Sequence, residues 1–157
     1  MIENNIDKNY FTSNFKSRED LKMKKSIHHV CIQTNDYEAS LKFYSEILGF
    51  DLVKETRNFH GRRFNSWLQI SGFMIELQTS KNNELLEKWH KTVEGIAHMC
   101  FMVADVHAAY KEIKSTGYNN FKIKENKVIY KVEDGYLFKV IAPEGTIIEF
   151  RDSKLGG

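Results

Sequence analysis

The sequence contains few of the features that mark a specialised class of protein, and cysteine is the first of them. It has only two cysteines, Cys31 and Cys100. Two are too few for a disulfide scaffold, and a reducing compartment keeps such residues as thiols. Free cysteine packs as a small apolar side chain more often than it reacts, so we predict that both are buried.

The sequence also lacks an excess of charge of one sign, and it lacks long apolar runs. The 23 Lys and Arg residues nearly balance the 21 Asp and Glu residues, which leaves a net charge of +2. A nucleic-acid-binding domain is usually strongly basic, so composition indicates no nucleic-acid partner. No apolar run approaches the roughly 20 residues of a membrane span. Residues 1–25 lack the apolar segment of roughly 7–15 residues that a secretory signal contains. We therefore expect a cytoplasmic protein with no membrane partner, in which residues 1–25 form a flexible tail.

What the sequence does contain is an internal repeat. The segment IHHVCIQTNDYEASLKFY, from Ile27, matches IAHMCFMVADVHAAYKEI, from Ile96. The ends of the two halves also match, because GFMIELQ from Gly72 is similar to GTIIEFR from Gly145. The chain therefore consists of two similar halves.

The same order of secondary structure is predicted in each half. An alternating strand is followed by an amphipathic helix. The first helix begins at Asn35 or Asp36 and ends at Gly49, and the second begins at Asp105 and ends at Gly117. Three further strands complete each half, which gives the order β-α-β-β-β.

This order predicts an α+β fold built from two tandem βαβββ modules. Module 1 covers residues 26–80 and module 2 covers residues 95–152, and we predict a linker helix at 81–94. A half of roughly 55 residues buries little core alone. The modules should therefore combine into one domain over 26–152, with a curved mixed sheet that forms a cup.

One histidine and one glutamate of each half fall on the same face of the predicted sheet. Because strand side chains alternate, His29, Glu76, His98 and Glu149 all lie opposite an apolar face. A lone strand histidine is more often a hydrogen-bonded core residue, but duplicated positions favour a metal site. Two imidazoles and two carboxylates suit Ni²⁺, Co²⁺, Zn²⁺, Mn²⁺ or Fe²⁺. A divalent cation also removes the cost of burying the carboxylates.

These motifs resemble the vicinal oxygen chelate superfamily. The resemblance rests on HHVCIQTNDYEASLKFYSEILGF, MIELQ, GIAHMCFMVADVHAAYKEI and APEGTIIEF, and it extends over residues 26–152. The superfamily includes glyoxalase I, methylmalonyl-CoA epimerase, extradiol dioxygenases and fosfomycin- and bleomycin-resistance proteins. The resemblance implies a homodimer with one divalent ion per site. Ni²⁺ or Co²⁺ is the first expectation, and Zn²⁺ or Mn²⁺ is the second. The implied ligands are His29, Glu76, His98 and Glu149, and this set is most similar to that of bacterial glyoxalase I.

The resemblance implies a lyase of the glyoxalase I type, with a small-molecule substrate. Such an enzyme converts the hemithioacetal of a 2-oxoaldehyde and a thiol to a 2-hydroxyacyl thioester, by proton transfer through an enediolate held by the metal. Glu149 is the implied base, and Glu76 is a ligand and second candidate base. Gln33 occupies the position of an arginine that holds glutathione in bacterial glyoxalase I. The resemblance therefore leaves open which thiol forms part of the substrate. The alternatives are an epimerase of the methylmalonyl-CoA type, an Fe(II) extradiol-type dioxygenase and a non-catalytic protein that binds a small molecule such as an antibiotic.

Other side chains are candidates for substrate contacts. Alternation places Asn65 and Trp67 on the cup face, where Trp67 either walls the pocket or packs in the core or a dimer contact. Arg63 follows a predicted hairpin turn and is either exposed or a clamp for an anionic substrate tail. Gln33 shares the face of the first histidine. We assign no chemistry to His28, which alternation places on the opposite face.

Overall fold

A computed structural model describes residues 26–152, so the predicted tail at 1–25 lies outside the described residues. The first half consists of β1 (His29–Thr34), α1 (Tyr37–Lys42), a π-helical continuation (Phe43–Ile47), β2 (Asp51–Phe59), β3 (Arg62–Ile70) and β4 (Phe73–Thr79). The second half consists of β5 (Met99–Met102), α2 (Val106–Ser115), β6 (Tyr130–Val132), β7 (Gly135–Ile141) and β8 (Ile147–Arg151). The α+β class and the repeated βαβββ order are confirmed. Within the described range, no helix is long and apolar enough to cross a membrane.

Each half forms a four-stranded mixed sheet of its own. The strand orders are β1-β4-β3-β2 and β5-β8-β7-β6. The pairs β1 with β4 and β5 with β8 are parallel, whereas the other neighbours are antiparallel. In both sheets the first strand of the module therefore lies directly beside its last strand. This pairing brings the start of each repeat next to its end.

Both helices begin at an aspartate: Asp36, one of the two predicted candidates, caps the first helix, and Asp105 caps the second as predicted. Asp36 Oδ1 accepts a hydrogen bond from the N–H of Ala39 at 3.1 Å, and Asp105 Oδ1 accepts two backbone N–H groups of α2 at 2.8 and 3.1 Å. Gly49 and Gly117 follow the helical segments with φ of 75° and 87°. Glycine adopts this left-handed conformation without steric cost, so both helical segments end where the sequence predicts.

A shared hydrophobic core packs the two modules together. Ile75 and Leu77 of the first sheet and Val140 and Ile148 of the second belong to one buried cluster, and each has 0% exposure. All four project from the sheet faces opposite the predicted metal ligands. The faces that carry the ligands are therefore turned away from this core.

A partly buried polar contact also joins the modules. Glu144 lies in the turn between β7 and β8, and its carboxylate accepts hydrogen bonds from Ser40 Oγ at 2.8 Å and Tyr44 Oη at 2.6 Å. Both donors belong to the helical segment of the first module. Burial and the charge of Glu144 raise the pKa of Tyr44 well above its usual value, which keeps the phenol protonated as a donor.

The prediction of a linker helix at 81–94 is wrong, because the structure has no helix in this segment. Asn82 and Asn83 have φ of 51° and 59°, which lie outside the α-helical region. The Asn35 side chain binds the backbone of Leu86 further along, donating to its C=O at 2.8 Å and accepting its N–H at 3.0 Å. These bonds satisfy backbone groups that a helix would otherwise have paired.

Candidate functional site

The first module brings His29 and Glu76 together. His29 lies on β1 and Glu76 on the parallel strand β4, and their Nε2 and Oε2 atoms are 3.6 Å apart. The other carboxylate oxygen of Glu76 accepts a hydrogen bond from Asn65 Nδ2 on β3 at 2.7 Å. The amide of Asn65 therefore fixes the carboxylate while its second oxygen faces the imidazole.

Two neighbouring rings orient the imidazole of His29. Its Nδ1 lies 2.9 Å from Nδ1 of His28, and the ring of Trp67 contacts it edge-on at a centroid distance of 4.9 Å. When His29 Nδ1 carries the proton and donates to His28, Nε2 presents its lone pair toward Glu76. The structure thus places His28 against His29, contrary to the prediction that it lies on the opposite face. The sequence pattern missed this contact because β1 begins at His29, and alternation does not constrain the residue before a strand.

The second module repeats the pair with His98 and Glu149. His98 Nε2 lies 3.5 Å from Glu149 Oε2, and Glu149 is only 4% exposed. The same Oε2 accepts a hydrogen bond from Lys139 Nζ on β7 at 2.8 Å. Burial acts to raise the pKa of Glu149, but the hydrogen bond and charge of Lys139, together with Cys100 and His98, outweigh it and lower this pKa. The carboxylate is therefore held in its charged form.

Lys139 is a site residue that sequence reasoning missed. It is the register partner of Glu149, whereas Trp67 is the register partner of Glu76 in the first sheet. The sequence did contain a feature that could have identified it, because Lys139 is the single charged residue in the run YLFKVI of β7. Alternation in that strand places it opposite Phe138, which is fully buried in the core.

Both cysteines lie on the ligand-bearing faces, and the prediction that they are buried is wrong. Cys31 pairs with Glu76 and Cys100 pairs with Glu149 in the strand register, and both cysteines are exposed. They are exposed because these faces are turned away from the core. Partial burial, followed by the charge of the adjacent glutamate, raises the pKa of each thiol to about 11.

The predicted substrate contacts divide into two groups. Asn65 and Trp67 lie at the first His–Glu pair, as described above. Gln33 Oε1 instead accepts a hydrogen bond from Arg62 Nη1 at 3.0 Å. Arg63 lies over the ring of Phe64, with its guanidinium carbon 5.7 Å from the centroid, beside the first turn of α1. Arg62, and not Arg63, is therefore the arginine beside the histidine-bearing strand.

The two pairs remain separate within one chain. Over residues 26–152, no group of three or more His, Cys, Asp or Glu side chains is placed to hold one metal ion. The side chains of His29 and His98 are 34% and 38% exposed. A cavity of about 390 Å³ opens beside His98 and is bordered by Gln33, Trp89 and Met99. Each module thus presents one partly exposed imidazole beside a carboxylate that is largely buried.

Comparison with known proteins places this architecture in a family. Residues 26–150 match the family model described as the Glyoxalase/Bleomycin resistance protein/Dioxygenase superfamily. The chain belongs to this superfamily, whose members bind small molecules and divalent metals.

Individual relatives match this chain at low sequence identity. The uncharacterized protein YwkD of Bacillus subtilis is 30% identical over 108 residues, covering 68% of this chain and 84% of YwkD. A Vibrio parahaemolyticus protein named "Probable lactoylglutathione lyase" is 26% identical over 132 residues, covering 82% of this chain and 91% of its own length. The crystal structure of a glyoxalase family protein from Enterococcus faecalis superposes with a TM-score of 0.67 at 21% identity. That match covers 82% of this chain and 98% of that one.

Proposed function

We propose that the protein is a divalent-metal-dependent lyase of the glyoxalase I type. It would convert the hemithioacetal of a 2-oxoaldehyde and a thiol to a 2-hydroxyacyl thioester. The observation that carries the proposal is the duplication of one His–Glu pair at matched positions, with separations of 3.6 and 3.5 Å. The Vibrio parahaemolyticus relative named "Probable lactoylglutathione lyase" supports the same reaction class.

The chemistry of the donor set fits a divalent ion held by His29, Glu76, His98 and Glu149. Two ligand atoms that each lie about 2.1 Å from one ion are separated by roughly 3 Å, close to the spacing within each pair. Neutral imidazole and carboxylate ligands suit Ni²⁺, Co²⁺, Zn²⁺ and Mn²⁺, and Ni²⁺ or Co²⁺ is our first expectation. When bound, the ion supplies Lewis-acid stabilisation of negative charge that develops on the substrate oxygens.

The protein's own residues have separate roles in the proposed reaction. Glu149 removes the proton from the carbon next to the carbonyl and returns it to the neighbouring carbon. Its charged form at neutral pH, described above, suits it to act as a base. Asn65 holds Glu76 in place as a ligand, and Trp67 walls the pocket beside His29.

We infer that the complete site forms between the modules of two chains in a homodimer. The pairs are separate in the single chain and their imidazoles are partly exposed, so module 1 of one protomer can face module 2 of its partner. Superfamily members commonly dimerise, and such an arrangement would create two identical sites.

Metal titration tests the reaction. Metal-stripped protein should bind about one equivalent of Ni²⁺ or Co²⁺ per chain and then isomerise the hemithioacetal of methylglyoxal and glutathione. Glu149→Gln should abolish turnover while retaining some bound metal, whereas Glu112→Gln, at an exposed position on α2, should behave as the wild type. Undiminished activity of Glu149→Gln would contradict the assigned base. Binding without turnover would move the search to other thiols and CoA esters.

Mixing two inactive variants tests the shared site. His29→Ala and His98→Ala should each be inactive alone. If a site combines modules from two chains, a mixed dimer contains one site with both histidines intact, and activity should return. If each site lies within one chain, every site in the mixture carries a substitution and no activity returns.

A further inference from the structure

The cavity beside His98 lies between the two modules and the segment that connects them, residues 81–94, which we call the connecting segment. It measures about 390 Å³. Residues 30–33 of β1, residues 96–99 at the start of β5 and residues 87–90 of the connecting segment all border it. Cavities that bind small molecules usually measure about 300–1,000 Å³. This cavity is therefore large enough for a small ligand.

The cavity is separate from most of the proposed metal site. Among the described residues that border it, His98 is the only proposed metal ligand. Asn65 and Trp67, which contact the first His–Glu pair, are not among these bordering residues. A molecule in the cavity would therefore lie beside the second imidazole without contacting either glutamate of the two pairs.

Large apolar side chains at the cavity are in contact with water. Ile96 is 69% exposed and Val93 is 49% exposed, and both border the cavity. Removing such apolar area from water is favourable, and a ligand that contacts these side chains would do so. Their exposure therefore indicates an apolar ligand.

Rings and sulfur atoms at the cavity favour an aromatic ligand over a saturated one. The cavity is bordered by the rings of Trp89, His90 and His98, and by two sulfur-containing residues, Cys31 and Met99. Aromatic rings attract one another in offset or edge-on arrangements, and sulfur atoms make favourable contacts with ring edges. An aromatic molecule would therefore gain contacts that a saturated ring of the same size lacks.

The charged groups at the cavity favour a neutral ligand. Glu87 and Lys88 are both exposed and carry opposite charges. Glu144 also borders the cavity, but its carboxylate already accepts hydrogen bonds from Ser40 and Tyr44. An ionic ligand would therefore gain little from these three groups.

The connecting segment has open space on two sides at the cavity. Asn35 binds the backbone of Leu86, and Trp89 lies against Gly145, where an added Cβ would be 3.5 Å from Cβ of Trp89. Between these two contacts, residues 87–88 border both this cavity and a second one of about 380 Å³. The segment therefore has room to shift and close on a ligand.

We propose that this cavity is a binding site for a small, neutral aromatic molecule, which is held between β1, the start of β5 and the connecting segment. The site goes beyond the proposed reaction, because it involves neither glutamate and requires no metal. A bound ligand should remove Val93 and Ile96 from water and restrain the connecting segment. Ligand affinity and the rate at which a protease cuts this segment therefore both report on the site.

Ligand-observed NMR titration of the full chain tests the class of ligand. The probe is benzyl alcohol, and the comparisons are cyclohexylmethanol, which is saturated, and benzoate, which is charged. We expect benzyl alcohol to bind about fivefold more tightly than cyclohexylmethanol, because only the aromatic ring gains the ring and sulfur contacts. Benzoate should also bind more weakly than benzyl alcohol. Equal affinities for the three probes would overturn the proposal.

Two isoleucine variants test whether the probe occupies this cavity. Ile96→Ser should weaken binding of benzyl alcohol about fivefold, because it removes apolar contact area. Ile123→Ser is the matched control, since Ile123 is 65% exposed and does not border the cavity. Val93→Ser should reproduce the loss if Ile96→Ser disturbs the start of β5. Unchanged affinity in both Ile96→Ser and Val93→Ser, or an equal loss in Ile123→Ser, would overturn the site.

Limited trypsin digestion, followed by mass spectrometry, tests the contact with the connecting segment. Lys88 and Lys91 of this segment are exposed, as is Lys127 in the second module. Saturating benzyl alcohol should slow cleavage after Lys88 and Lys91 and leave cleavage after Lys127 unchanged. An unchanged rate after Lys88 and Lys91 would overturn the proposed position of the ligand. Neither readout involves turnover of a hemithioacetal, so failure of the proposed reaction and failure of this site are distinguishable.

Discussion

Tyr44→Phe tests how strongly the contact between the two modules stabilises the fold. The substitution removes one hydroxyl from a side chain with 0% exposure and leaves the ring in place. That hydroxyl donates to Glu144 at 2.6 Å, and Ser40 donates to the other oxygen of the same carboxylate. Loss of a hydrogen bond to a charged group costs about 1.5–3 kcal/mol. We therefore expect the free energy of unfolding to fall by about 2 kcal/mol, and the melting temperature to fall by about 4–8 °C.

Urea unfolding and calorimetry at one fixed protein concentration measure both quantities, since dimerisation would make stability depend on concentration. Tyr110→Phe is the matched control, because the hydroxyl of Tyr110 accepts an exposed hydrogen bond from the amine of Lys114 at 3.2 Å. It should cost less than about 0.5 kcal/mol. A double-mutant cycle with Glu144→Gln should show coupling between Tyr44 and Glu144. A Tyr44→Phe protein within about 0.5 kcal/mol of wild type would refute the assigned role of the contact.

Three further predictions concern the site and one turn. His28→Ala should lower metal affinity about tenfold without loss of fold, because the ring orients His29; an unchanged dissociation constant would contradict this. Cys31 and Cys100 should react slowly with iodoacetamide at pH 7.5 in metal-free protein and faster as the pH approaches their pKa of about 11, because a raised pKa keeps the thiols protonated; rapid alkylation at neutral pH would disprove the assignment. Gly61→Ala should destabilise the fold by about 1 kcal/mol in urea unfolding, since Gly61 has a φ of 77°, and equal stability would count against this strain.

The sequence allowed the two modules and the four residues of the His–Glu pairs to be predicted, because these features depend on local pattern and on the repeat; the prediction placed all four in one cup, whereas the single chain holds them as two separate pairs. Period-two alternation and Asp caps act over a few residues, and duplication makes each half a check on the other. The segment at 81–94 shows the limit of this reasoning. Its local pattern favours a helix, but the Asn35 side chain binds the backbone of Leu86, and no local pattern reveals a contact with a residue so distant in sequence.

The two His–Glu pairs are formed by residues that the sequence singles out, but the surroundings of these pairs were less predictable. Alternation assigns Glu149 to a face, but it does not show that Lys139 contacts the same oxygen. Alternation along the strand could not place His28, because this residue precedes the strand. The exposure of both cysteines follows from how the two modules pack, and this depends on contacts between the halves.

The core shared by the modules should keep the protein assembled after proteolysis of the segment that connects them. The connecting segment is accessible, since Leu85 is 87% exposed, and such segments are preferred sites of proteolysis. Ile75, Leu77, Val140 and Ile148 would still hold the two fragments together after cleavage there. The nicked protein should therefore elute from gel filtration as one species and separate into two fragments only in denaturant.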